Sequence, residues 1–171
     1  AEDGIRYLVR SRGLGDVYKR QHEYLVNTKF PQFNLYDDKR KIVTEEDFSG
    51  KWNVIFFYPK DESPGCTIQS CSFRDKYEEF NNLGVQIFGV SGDSVSSHKK
   101  FKEKYKLQYP LWSDKGGKLA KDLMLKKSLG ILSARITLIV NPQGIITYVY
   151  TSQIGVSGHV RKALKEIKSQ I

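Results

Sequence analysis

Residues 52–58, WNVIFFY, form an unbroken apolar, β-branched and aromatic run, and Pro59 ends it. A strand with one wet face alternates apolar and polar residues; a run without that alternation is covered on both faces. VQIFGVS (85–91) repeats the pattern. Between the two, from Cys66 to Leu83, the period turns helical, with Ile68, Phe73, Tyr77 and Phe80 as an apolar stripe and Gly84 as the stop. Two buried strands joined through a helix are forced side by side and parallel by the right-handed crossover rule.

The remaining segments extend this unit. Residues 94–106 read as a Lys-rich helix with Val95 and Phe101 inward and His98 alongside. YPLW (109–112) is a short strand, and GGKLAKDLML (116–125) a short helix or irregular turn. ITLIV (136–140), the turn NPQG (141–144) and IITYVY (145–150) make a hairpin, and 157–170 a closing helix. Upstream, PQFNLYD is a short alternating strand. Thr44 caps a short helix that carries Glu45, Glu46 and Asp47 in its first turn and stops at Gly50. The order implies an α/β protein of thioredoxin-like fold: a central mixed β-sheet flanked by helices on both faces, enlarged by an N-terminal strand segment.

At 171 residues the chain is expected to hold one domain, large enough to fold without disulfide struts. Residues 1–28 show no clean period, and their acids (Glu2, Asp3, Asp16, Glu23) argue against a transit peptide. They are expected to be an appendage, disordered or foreign to the domain, with the domain proper at 29–171. No stretch approaches the roughly 18 apolar residues of a membrane span. Lys and Arg number 28 against 19 acids, a net charge of +9. The basic residues are spread over helical stretches and are not interleaved with aromatics for base stacking, so solvated faces are expected rather than a nucleic-acid surface.

The only two cysteines, Cys66 and Cys71, stand in SPGCTIQSCSFRD. Such a pair makes a poor disulfide framework and fits a reducing compartment, with redox chemistry or a metal as its use. Zinc wants four ligands, and His22, His98 and His159 lie far off in sequence, so no metal is expected. Cys66 falls at the C-terminal end of a central strand and in the first turn of a helix. Ligands bind at that end of open α/β sheets, and a helix N-terminus favours thiolate over thiol.

In an intact helix, residues i and i+5 have Cα atoms about 8.6 Å apart, whereas a disulfide wants less than about 7 Å. The spacing predicts a cycle: Cys66 reacts in the folded helix, the segment melts locally, then Cys71 attacks Cys66. A peroxide O–O bond broken by a thiolate needs donors aimed at both oxygens and a fixed cation near sulfur. Ser63 offers a hydroxyl that could donate to the peroxide and accept from a backbone N–H. Pro59 and Pro64 shield the sulfur. Arg135, opening the strand expected beside WNVIFFY, offers a planar and permanent charge.

PKDESPGCTIQSCSFRD resembles the active-site signature of the peroxiredoxins, and specifically of the peroxiredoxin Q (bacterioferritin comigratory protein) group. The Pro-x-x-x-Thr/Ser-x-x-Cys pattern falls on Pro59, Ser63 and Cys66; the Arg-x-Thr pattern falls on Arg135 and Thr137. GVSGDS and the final helix behind His159 are also similar, over roughly residues 29–171. The resemblance implies a peroxidase acting on hydrogen peroxide and organic hydroperoxides, with Cys66 peroxidatic and Cys71 resolving. It also implies an intramolecular disulfide reduced by thioredoxin or a similar dithiol protein, no cofactor, and a monomer. Ser63 departs from the usual Thr, and Gln69 from a common Glu. SGDSVSSHKKF leans towards plant and algal plastid relatives, giving a plastid or the cytoplasm as location. The alternatives are a redox sensor and a general thioredoxin-like disulfide oxidoreductase.

Overall fold

The structure is a computed structural model, and it describes residues 21–125 and 134–171. Seven strands form one sheet: β1 (Asn34–Asp37), β2 (Ile42–Thr44), β3 (Trp52–Phe57), β4 (Val85–Ser91), β5 (Leu111–Ser113), β6 (Ile136–Val140) and β7 (Ile146–Thr151). Their order is β2-β1-β5-β4-β3-β6-β7. β4 is parallel to both β3 and β5, while β6 is antiparallel to β3 and pairs with β7 in a hairpin. The helices are α1 (Pro64–Asp75), α2 (Tyr77–Asn82), α3 (Val95–Tyr105), α4 (Lys118–Asp122) and α5 (Val156–Gln170).

β3 explains the two-layer core. Successive side chains on a strand point to opposite faces. Val54 and Phe56 therefore enter one cluster, with Phe73 of α1, Phe80 of α2, Phe101 of α3 and Ala163 and Ile167 of α5. Ile55 and Phe57 enter the other, with Trp112, Leu138, Phe30, Phe33 and Phe48. All four β3 residues are 5% exposed or less, which is why the run carries no polar alternation. The long helices cover the first face. The second is closed by Leu119 of α4 and by an aromatic group in which Phe33 stacks on Phe48 and tilts against Trp112.

Several expectations are corrected. Residues 21–28 are not separate from the domain: Leu25 is buried, Asn27 N–H donates to Ile146 O at 2.8 Å, and His22 Nδ1 lies 3.0 Å from Thr151 Oγ1. The apolar residues there are too few to make a period, yet Leu25 fills the core beneath the β7 edge. The boundary expected at residue 28 therefore moves towards the N terminus; residues 1–20 lie outside the described residues. β2 was not expected at all: three residues are too short to show alternation, and the strand exists through its pairing with β1. Thr44 does cap residues Glu45–Asp47, as a 3-10 turn with Asp47 bonding back to the Thr44 N–H. The stretch 66–83 is two helices broken at Lys76. Ile68 is 57% exposed, so the inward stripe of α1 is Cys66, Gln69, Ser70 and Phe73.

Candidate active site

Ser63 is the N-cap of α1, Pro64 follows it, and Thr67 N–H closes the first turn on Ser63 O at 2.9 Å. Pro in the first turn loses no bond, because that N–H has no helical partner. Cys66 stands in this turn, fully buried, and Cys71 stands half-buried further along the same helix; both are free thiols. Cys71 is pushed above the ordinary thiol range, mainly by burial and secondarily by Asp75, against a lowering by Arg74.

The register of the sheet supplies the cation. β6 pairs antiparallel with β3 so that Phe57 faces Ile136. Arg135 therefore lies one step past the end of β3, where α1 begins. Its Nη2 donates to Cys66 Sγ at 3.4 Å and its Nη1 to Gln69 Oε1 at 2.6 Å. Gly65 makes the approach possible: a Cβ there would stand 3.1 Å from Arg135 Nη2. Arg135 is 6% exposed, and no carboxylate among the described residues pairs with it. Its charge is thus directed at sulfur. Thr67 Oγ1, Gln69 Nε2 and Arg135 Nε are buried without a protein partner.

Behind Arg135, Thr137 and His159 are both fully buried, with Thr137 Oγ1 2.8 Å from His159 Nδ1. His159 Nε2 donates to Ser152 O at 2.8 Å, and because burial keeps the ring neutral, Nδ1 accepts from the Thr137 hydroxyl. Burial, with Arg135 adding to it against the Ser152 bond, lowers His159 to about 4.

The structure brings Cys66, Arg135 and Gln69 together and sets Ser63 at the lip of the site. The Ser63 hydroxyl does not accept a backbone N–H as expected; it donates to Lys60 O at 3.0 Å. Pro59 is half-buried and Pro64 exposed, so only Pro59 is placed to shield. Two residues at the Arg135 contact were not among the expected site residues. Gln69 had a signal, its departure from Glu; Gly65 had one in standing immediately before the cysteine. The described residues offer one group close enough to hold a metal, Asp61, Asp93 and His98, with ligand atoms within 4.8 Å of one another. Asp61 and His98 already bond to each other and to their neighbours.

The AhpC/TSA family profile matches residues 26–149. The chain belongs to the AhpC/TSA family. Over 140 residues it is 45% identical to the chloroplastic peroxiredoxin Q of Suaeda salsa, covering 81% of this chain and 65% of that protein, just under two thirds. Among solved structures it is similar to the peroxidoxin BcpB of Mycobacterium tuberculosis, with a TM-score of 0.78 and 30% identity over 84% of this chain and 96% of that one. It is also similar to the bacterioferritin comigratory protein of Xanthomonas campestris, whose structures are described for its alkyl peroxide reduction activity; the TM-score is 0.74 at 31% identity over 81% and 91% of the two chains. These likenesses set the chain in the peroxiredoxin Q group, and its fold is thioredoxin-like.

Proposed function

We propose that the chain is a thiol-dependent peroxidase whose peroxidatic residue is Cys66 and whose resolving residue is Cys71. The observation that carries this reading is the Arg135 guanidinium donating to a buried Cys66 Sγ at 3.4 Å in the first turn of α1. A cation and a helix N-terminus meet at the sulfur, surroundings of the kind in which cysteines act as nucleophiles. The thiolate attacks one oxygen of R–O–O–H, the O–O bond breaks, and the leaving oxygen takes a proton to depart as water or an alcohol. Cys66 becomes a sulfenic acid. The Arg135 and Gln69 donors stabilise the leaving oxygen.

Cys71 then attacks Cys66 Sγ; an S–S bond forms and water leaves. The geometry of the intact helix keeps Cys71 out of reach of Cys66 until α1 opens, which orders the two steps. A dithiol protein of the thioredoxin type takes the disulfide and returns both thiols. The cycle needs one chain, so a monomer suffices. The chloroplastic relatives favour a plastid, and no helix among the described residues is long and apolar enough to cross a membrane.

Intact mass before and after one equivalent of hydrogen peroxide, with thiol alkylation, tests the reading. A loss of about 2 Da together with both alkylation sites is expected. Unchanged mass with both thiols still alkylated would sink it.

A further inference from the structure

The loop that carries the active-site turn, residues 58–63, is anchored at Asp61, a residue the peroxidase cycle does not use. Asp61 is 4% exposed. Its Oδ1 accepts from Tyr58 OH at 2.6 Å; its Oδ2 accepts from Ser97 Oγ at 2.8 Å and lies 2.8 Å from His98 Nδ1. Its backbone N–H donates to Asp93 Oδ2 at 2.8 Å. Glu62, next in the loop, holds a left-handed backbone at φ 65° and accepts from Lys104 Nζ of α3 at 3.0 Å.

His98 is the informative partner. The ring is fully buried on α3. Its Nε2 lies 3.0 Å from Trp112 O and its Nδ1 faces Asp61. A carbonyl oxygen only accepts, so Nε2 donates to Trp112 O. One proton joins Nδ1 to the Asp61 carboxyl at 2.8 Å, with Tyr58 OH 3.5 Å from the same nitrogen. Tyr58 remains an O–H donor because burial, then Asp61, raise it well above its ordinary value. A buried polar pair holds only when its remaining lone pairs and protons are bonded, and here Tyr58, Ser97 and Trp112 O supply those bonds.

We propose that His98 pins Asp61, and that the pair acts as a positioning clamp setting the 58–63 loop, and with it Ser63 and the start of α1, against Arg135. The clamp ties α3 to the active-site loop across 37 residues of sequence, and neither residue touches the reacting atoms. The inference rests on the peroxidase reading. Its consequence is kinetic: misplacement of about 1 Å costs a positioned reaction roughly 100-fold, whereas a reagent that needs only a thiolate is insensitive to the loop.

One comparison tests the clamp: stopped-flow oxidation of Cys66 by hydrogen peroxide against its alkylation by iodoacetamide. His98→Phe and Asp61→Ala are expected to slow oxidation by about tenfold or more and to leave alkylation within about twofold. Asp61→Asn is expected to recover most of the oxidation rate, because its amide can donate to a neutral imidazole. Folded His98→Phe and Asp61→Ala proteins that oxidise at the wild-type rate would overturn the clamp. If His98→Phe does not fold, the contrast between Asp61→Ala and Asp61→Asn decides. A wild-type protein that is alkylated at Cys66 but does not react with peroxide fails the peroxidase reading instead.

Discussion

Arg135 and Cys66, 69 residues apart in the chain, meet at 3.4 Å because β6 lies antiparallel to β3 with Ile136 opposite Phe57. The guanidinium spends one nitrogen on sulfur and another on Gln69. That fork is geometry a lysine lacks. Arg135→Ala is expected to slow Cys66 oxidation by about 100-fold, the scale of losing one preorganised donor, and Arg135→Lys by about tenfold. Stopped-flow kinetics with hydrogen peroxide measures both. A lysine variant as fast as wild type would show that charge alone is enough.

Gly65 tests the same contact from the other side. Alanine is the better helix former by up to about 1 kcal/mol, so Gly65→Ala is expected to keep or slightly raise the denaturant midpoint. Its Cβ, however, would stand 3.1 Å from Arg135 Nη2 and push the guanidinium off sulfur. The peroxide rate should fall about tenfold while stability does not, since preorganised geometry is what the site supplies. A variant that is both stable and fast would mean that Arg135 needs no fixed position.

Helix α1 must open for the cysteines to join, because five helical residues separate their Cα atoms by about 8.6 Å. Backbone amides of 65–75 are expected to be protected from hydrogen exchange in the reduced protein and to lose protection after peroxide. In Cys71→Ser they should stay protected after peroxide, with Cys66 held as sulfenic acid. Equal protection in reduced and oxidised wild-type protein would rule out local unwinding.

His159 gives a pH dependence. The folded chain refuses a proton on this ring until about pH 4, whereas an unburied histidine takes one near 6.5. Between those values the unfolded chain binds more protons, so stability is present above about 6.5 and lost as pH falls towards 4. The linked loss is about 3 kcal/mol. Urea midpoints from pH 7 to pH 4.5 should fall more steeply for wild type than for His159→Gln. Parallel slopes would remove His159 as the cause.

Local pattern was enough for the elements with strong periodicity. β4 matches its apolar run residue for residue, β3 comes within one residue of its own, and the hairpin and closing helix fall where their patterns put them. Cys66 was legible because a strand end, a helix start and a lone cysteine coincide. Three features were legible only in the fold. Ile68 looked apolar and inward, but α1 turns Gln69 inward to meet Arg135. Residues 21–28 carry too little hydrophobicity to announce burial, yet Leu25 and His22 are covered by the sheet edge. The buried His98 and His159 rings meet Asp61 and Thr137, partners 37 and 22 residues away in the chain.

The sequence by itself determined the mixed α/β layering, the helix on which both cysteines stand and their incompatibility with a disulfide in that helix. Each depends on contacts within a few residues: alternation, a cap, a spacing. Tertiary structure alone decided which cation faces the sulfur, which glycine makes room for it and which buried pair holds the loop. Those outcomes depend on strand register and on the packing of α3 against the 58–63 loop, and they join residues 37 to 69 positions apart.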